Sequence, residues 1–262
     1  MANEVELKKE SNVIPFDASL LLEDAGSAGD NMTADDMLIP RLRILQSGSP
    51  VVKKSDGAYV KGAEEGMIFD NVSNQLFSGE TGITVVPVSY RRTFIEWTDD
   101  RKFVADHGLN CTALLDSCTD DGRGGLKTPE GNSLVNTSEY FVYQVDKDGG
   151  YSPAMISMSS SGIKKAKKWN SMMNRLQIPH PSGTGTLNPA MFWTAYQITT
   201  VPESNESGSW FNWEISMKFD AKSGGIIQNL DAGKDIYLEA REFKKKVQSG
   251  DINVKSDDEI PF

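Results

Sequence analysis

Residues 82–97 read GITVVPVSYRRTFIEW, and how this stretch folds decides what surrounds it. Ile83, Thr84, Val85, Val86 and Val88 are β-branched, a shape that suits a pleated surface better than a helix. The stretch predicts a long strand, with Thr84, Val86, Val88 and Tyr90 alternating against Ile83 and Val85. Pro87 has no N–H for a ladder, so the strand must meet an edge or a bulge there. Beyond it, rings and arginines take over: Tyr90, Arg91, Arg92, Phe94 and Trp97.

Upstream, GMIFDNVSNQLFSG predicts a strand at residues 67–69, a turn at 71–74 and a short return. MLIPRLRILQSGSPVVKK, starting at Met37, is apolar and basic, and Pro40 and Pro50 break it into extended segments. Downstream, residues 99–135 are polar and glycine-rich, the pattern of a long insertion between strands. EYFVYQVDKDGGY then predicts a strand closed by a DKDGG hairpin turn, with PAMISMS as a short strand after it. SSGIKKAKKWNSMMNRLQ has a helical repeat, starting at Ser160 or Ser161 and carrying Ile163, Ala166, Trp169 or Asn170, Met173 and Leu176. MFWTAYQITTVPE, SWFNWEISMKFD and KDIYLEA predict further strands. Strands with one basic helix make an all-β or α+β domain, a small β-barrel with inserted loops. It spans residues 37–247 with the insertion at about 99–135, between a flexible acidic arm at 1–36 and a disordered acidic tail at 248–262.

The net charge of −10 argues at first against a nucleic-acid partner. Its distribution removes the objection. Residues 1–40 hold nine acidic and two basic side chains, and residues 251–262 hold four acidic and one basic, which leaves 24 of each sign between them. The body is neutral and has room for a basic groove. No apolar run approaches the roughly 18 residues of a membrane span, and MANEVELKKESNV lacks the apolar core of a signal peptide. A soluble, intracellular protein with no membrane partner is expected.

Catalytic signatures are sparse. The chain has two histidines, His107 and His180, and no G-x-S-x-G, H-E-x-x-H or G-x-x-x-x-G-K-[ST]. A binding protein with no catalytic residue and no cofactor is expected. Asp99 with Asp100, and Asp120 with Asp121, keep open a metal-dependent nuclease, since hard cations take carboxylate oxygens, although solvated loop acids explain them as well. His107, Cys111 and Cys118, spaced H-x3-C-x6-C, supply three zinc ligands, with Asp106 or Asp116 as a candidate fourth. A structural zinc site ordinarily contains a closer cysteine pair, so idle thiols are the plainer reading and no metal is expected.

Five tryptophans, eleven phenylalanines and seven tyrosines exceed what one face of a small barrel needs for its core. Surplus rings beside Arg and Lys suit single-stranded nucleic acid, whose bases stack on rings at roughly 1–3 kcal/mol each while cations follow the phosphates. The candidate DNA contacts are Tyr90, Arg91, Arg92, Phe94 and Trp97 on the long strand and Tyr143 and Trp193 on others. The helix adds Lys164, Lys165, Lys167, Lys168 and Trp169, and the N-terminal strand adds Arg41 and Arg43. Backbone N–H groups of residues 159–162, at the helix start, are placed to receive a phosphate. A solvated helix face explains the lysines equally well.

The last six residues, Asp257, Asp258, Glu259, Ile260, Pro261 and Phe262, resemble the acidic tip of bacterial single-stranded DNA-binding proteins, usually three aspartates before Ile-Pro-Phe. Glu259 is the one departure. The rest of the chain lacks the long Gly/Gln/Pro-rich linker of the bacterial proteins and is more similar to phage-encoded single-stranded DNA-binding proteins. That resemblance implies an elaborated OB-fold, sequence-independent binding of single-stranded DNA, and a tip that docks on replication and repair enzymes. By the same resemblance, Phe262 and its carboxylate would enter a basic pocket while residues 257–259 meet its rim. A second Ile-Pro-Phe at Ile14, Pro15 and Phe16 has no assigned role. Oligomeric state stays open, a homo-oligomer included. Three alternatives stand beside this reading: a strand-annealing recombination protein, the nuclease, and a decoy that borrows the host tip without touching DNA.

Overall fold

A computed structural model of the chain describes residues 38–122, 125–206 and 208–250. The N-terminal arm with its Ile14-Pro15-Phe16, and the tip at 257–262, lie outside the described residues. The strands are β1 (Arg41–Ile44), β2 (Ile68–Asp70), β3 (Leu76–Phe77), β4 (Ile83–Trp97), β5 (Phe103–Asp106), β6 (Thr119–Asp120) and β7 (Leu126–Lys127). They continue as β8 (Ser133–Val145), β9 (Tyr151–Ser159), β10 (Ile178–Pro179), β11 (Thr186–Leu187), β12 (Tyr196–Asn205) and β13 (Gly208–Met217). Four α-helices are described: α1 (Thr112–Ser117), α2 (Gly162–Asn174), α3 (Gly225–Asn229) and α4 (Gly233–Ser249). None is long and apolar enough to cross a membrane.

Eleven strands form one sheet in the order β13-β12-β4-β8-β9-β1-β2-β3, with β5, β6 and β7 attached beside β4 and β8. Its spine is the antiparallel pairing of β4 with β8, from Thr84 opposite Val145 to Trp97 opposite Ser133. The register shifts between Pro87 and Ser89, which is the bulge that the proline demands. The extra residue changes the phase of the strand. Val86 and Val88 share one face, and Tyr90, expected to follow them, turns to the other and meets Tyr140.

The sheet curls. Leu42 and Ile68 near one edge and Trp213 and Ile215 near the other converge on a single cluster with Tyr140, Ile156 and Ile198, so the face they share is the inner one. The two edges are stitched together by side chains and backbone. Gln46 Nε2 donates to the Phe211 carbonyl and Phe211 N–H donates to Gln46 Oε1, both at 2.8 Å. Thr200 Oγ1 donates to the Gly66 carbonyl at 2.5 Å. Gly66 must be glycine, because its φ is +82° and a Cβ would lie 2.6 Å from the Phe211 ring. The result is a curled half-barrel, an OB-like α+β fold of mostly β-structure.

Each face carries a helix, which accounts for the wealth of rings. On the inner face, α2 inserts Ala166 and Trp169 into the cluster. On the outer face, α4 lays Ile236, Ala240 and Phe243 against Val86, Val88, Phe141, Tyr143 and Met155. Two packed faces absorb the aromatics that one face could not. The strand expected at KDIYLEA is therefore corrected to the start of α4. Ile236, Ala240 and Phe243 recur at helical spacing, Asp235 sits in the first turn and Lys246 in the last, and Gly250 at φ +80° ends the helix.

Candidate nucleic-acid interface

A column of rings leads from the surface into the inner core. Tyr90, 36% exposed, lies 5.0 Å from Tyr140; Tyr140 stacks on Trp169 at 4.3 Å; Trp169 meets Tyr196 edge-on at 5.5 Å. The Tyr140 hydroxyl lies 3.0 Å from the Ala166 carbonyl and 2.9 Å from Asn170 Oδ1, which ties β8 to α2. Burial pushes the phenols of Tyr140 and Tyr196 up, the latter to about 12, so both stay neutral at physiological pH. The Tyr90 hydroxyl lies 3.3 Å from Ser138 Oγ, across the strand pair.

This geometry revises several expected contacts. Trp169 has no exposed surface and is a core ring, because it shares the apolar stripe of α2 with Ala166. Tyr143 is buried on the outer face between Tyr151 and Phe243, and Phe94 is buried beneath Arg92, whose guanidinium lies 5.6 Å from its ring. No base can stack on these three. Trp193 is half-buried, its indole donating to the Ala221 carbonyl at 3.0 Å, and Trp97 packs edge-on against Phe103. Of the predicted rings, Tyr90 offers the most exposed surface.

The cations divide as sharply. Glu139 is fully buried, yet it accepts from Arg91 Nε at 2.6 Å and lies 3.6 Å from Arg41. Arg91 also reaches Asp106 at 3.1 Å, so Arg91 and Arg41 neutralise carboxylates within the sheet. Arg43 is half-buried opposite Phe69. Arg92 is exposed and donates to Asn136 Oδ1 from Nε. On α2, Lys165 pairs with Glu203 at 3.0 Å and Glu214 at 2.9 Å, and Lys168 pairs with Glu214 at 2.6 Å. These hydrogen bonds hold the Glu214 carboxyl below its ordinary value. Lys164 and Lys167 are exposed and make no ion pair among the described residues.

The start of α2 is less suited to phosphate than its sequence implies. Asn212 Nδ2 reaches both Ser161 Oγ at 3.4 Å and Glu203 at 2.7 Å, which brings the protein's own carboxylate toward the helix start. The other end of α2 carries features that the sequence reading missed. Asn188 Nδ2 donates to the carbonyls of Met173, Asn174 and Leu176 at 2.9–3.2 Å, closing the C-terminus of the helix. Between that cap and Tyr90 lies an open recess of about 210 Å³, lined by Tyr90, by Asn170, Met173 and Asn174 of α2, and by Asn188, Pro189 and Met191. Asn170 and Asn174, spaced i, i+4, were the local signal for it.

Asp99, Asp100 and His107 each have a partner of their own. Asp99 pairs with Lys127 at 2.6 Å and Asp100 with Lys102 at 2.8 Å. His107 Nε2 lies 2.7 Å from Glu96, while Cys111 and Cys118 are free thiols flanking the two ends of α1. Among the described residues no three of His, Cys, Asp and Glu come together to hold a metal ion.

No curated protein and no solved structure matches the chain. A sequence model for one family, described as Pam3 phage gp34-like protein, matches residues 8–253. The chain therefore belongs to the Pam3 phage gp34-like family and is a phage protein.

Proposed function

We propose that this phage protein binds single-stranded DNA without sequence preference during replication, recombination or repair, and has no enzymatic activity. The observation that carries the reading is the exposed Tyr90 ring at the head of the aromatic column, with exposed Arg92 two residues further along β4 and, on the helix whose Asn170 borders Tyr90, exposed Lys164 and Lys167, which make no ion pair among the described residues. Rings for bases and cations for phosphates are the two elements that single strands require. An OB-like half-barrel is a common scaffold for this task. The tip at 257–262 supports the reading by its resemblance to the docking peptide of bacterial single-stranded DNA-binding proteins, and recruits replication and repair enzymes of the host or phage. An acidic tail with two apolar anchors loses entropy when it docks, so those contacts are weak and reversible, as transfer of DNA between enzymes requires.

Fluorescence anisotropy with labelled oligo(dT) and a duplex of equal length tests the proposal. The expected result is saturable binding of the single strand, weaker binding of the duplex, and loss of affinity as salt rises. Equal affinity for both, or binding to neither, would contradict it. Cleavage of the labelled strand in magnesium would instead favour the nuclease.

A further inference from the structure

We infer that the recess beside Tyr90 receives one nucleobase of the bound strand, stacked on Tyr90 as the next ring of the column. The inference rests on the proposed DNA-binding function and deepens it. Tyr90, Tyr140, Trp169 and Tyr196 already form a continuous aromatic path, and Tyr90 is the member with an open flank. That flank faces the recess. A cavity of ~150 Å³ holds a benzene, so a recess of about 210 Å³ has room for a base.

The walls have the chemistry for a base edge. Each amide side chain carries both a donor and an acceptor, and amide pairs of this kind match the polar edges of bases. Asn188 commits its NH2 to three carbonyls, which leaves Oδ1 as an acceptor for ring or exocyclic N–H groups. The single proton of the Tyr140 hydroxyl serves either the Ala166 carbonyl or Asn170 Oδ1. When it serves Ala166, Asn170 turns its NH2 to the phenol oxygen and presents Oδ1 to the recess; otherwise it presents the NH2. The amide thus adapts to donor and acceptor bases alike. Met173 and Met191 add soft, polarizable walls that adjust to different ring outlines. Lys167 lies one helical turn before Asn170 on the same side of α2, within reach of the phosphate that follows a base so placed. A flexible amide, two thioethers and one ring describe a pocket that grips bases while discriminating weakly among them.

Oligo(dT) substituted once with 5-iodouracil is cross-linked to the full-length protein by ultraviolet light, and the modified peptides are mapped. In parallel, affinities for unmodified oligo(dT) are measured for Tyr90→Phe, Tyr90→Ala and Asn174→Ala. The expected result is a cross-link on Tyr90, Met173 or Met191, wild-type affinity for Tyr90→Phe, and about 5- to 150-fold weaker binding for Tyr90→Ala with an unchanged salt slope. Asn174 is exposed at the helix end, so Asn174→Ala keeps the core intact, and it is expected to weaken binding several-fold. Wild-type binding with all cross-links elsewhere and full affinity in Tyr90→Ala and Asn174→Ala would overturn the pocket while leaving the DNA-binding function standing. Absence of binding by the wild-type protein would overturn both.

Discussion

Replacing Trp169 separates a core ring from a base-stacking ring. The indole has no exposed surface, stacks on Tyr140 at 4.3 Å and meets Tyr196 at 5.5 Å. Truncating a ring so placed to alanine costs about 3–5 kcal/mol, and the two aromatic contacts put Trp169→Ala toward the upper end. In a domain of this size each kcal/mol moves the midpoint by roughly 2–4 °C, so the loss is on the order of 10 °C or more. Trp169→Phe is the milder companion. The indole N–H has no hydrogen-bond partner among the described residues, so phenylalanine sacrifices no hydrogen bond and leaves only a modest void, at about 1 kcal/mol. Thermal melts followed by circular dichroism give the stability, and oligo(dT) affinity well below the midpoint gives the function. The account predicts a lowered midpoint and near wild-type affinity for Trp169→Phe. An unchanged midpoint with affinity lower by an order of magnitude would refute the buried assignment and return Trp169 to the DNA surface.

Other predictions concern charge and the outer face. Asn132 first, then His107 and Thr128, hold the Glu96 carboxyl below its ordinary value against the opposing effect of burial. The folded state therefore binds that proton less tightly than the unfolded state, and the resulting stability is present above about pH 4.5 and lost as pH falls through the lowered value. Melts between pH 6 and 3 should fall less steeply in Glu96→Gln than in wild type; parallel curves would count against it. Glu214→Gln releases Lys168 and leaves Lys165 with Glu203 alone, so it should raise oligo(dT) affinity and steepen its salt dependence, as anisotropy would show. Phe243→Ala opens the packing of α4 on Phe141 and Tyr143 and should destabilise by about 3–5 kcal/mol in urea melts. Removing residues 251–262 takes four acids and one lysine off the same chain as the proposed DNA site, so affinity at low salt should rise; no change would argue against competition between tail and DNA.

How far the fold was legible depended on whether the deciding interactions were local. The β-branched run of residues 83–88 announced β4, and Pro87 announced its bulge, because both effects belong to the residues themselves. The direction in which the bulge turned Tyr90 depended on the partner strand β8, and was invisible. The helix α4 was missed because KDIYLEA shows one turn of its stripe, while Phe243, which completes the repeat, lies beyond that window. Trp169 was misread on the strength of four preceding lysines, although its i+3 spacing from Ala166 already put it on the apolar side. The neutralising partners of Lys165, Glu203 and Glu214, lie 38 and 49 residues away on adjacent strands, and only the assembled sheet brings them together. The recess has the same origin, since Asn188 and Met191 join Tyr90 across the C-terminus of α2.

The central claim is that a single strand runs past Tyr90 and along the side of α2 bearing Lys164 and Lys167. The dependence of oligo(dT) affinity on salt concentration, measured for wild type and for the Lys164→Glu/Lys167→Glu double variant, tests it most directly. With Arg92 and the two lysines meeting phosphates, log K should fall against log salt with a slope of about −2, at about 0.7 per contact for single strands. The double variant should lose about 1.4 of that slope and most of its affinity at low salt. Identical slopes and affinities for the two proteins, or a wild-type affinity indifferent to salt, would contradict the account.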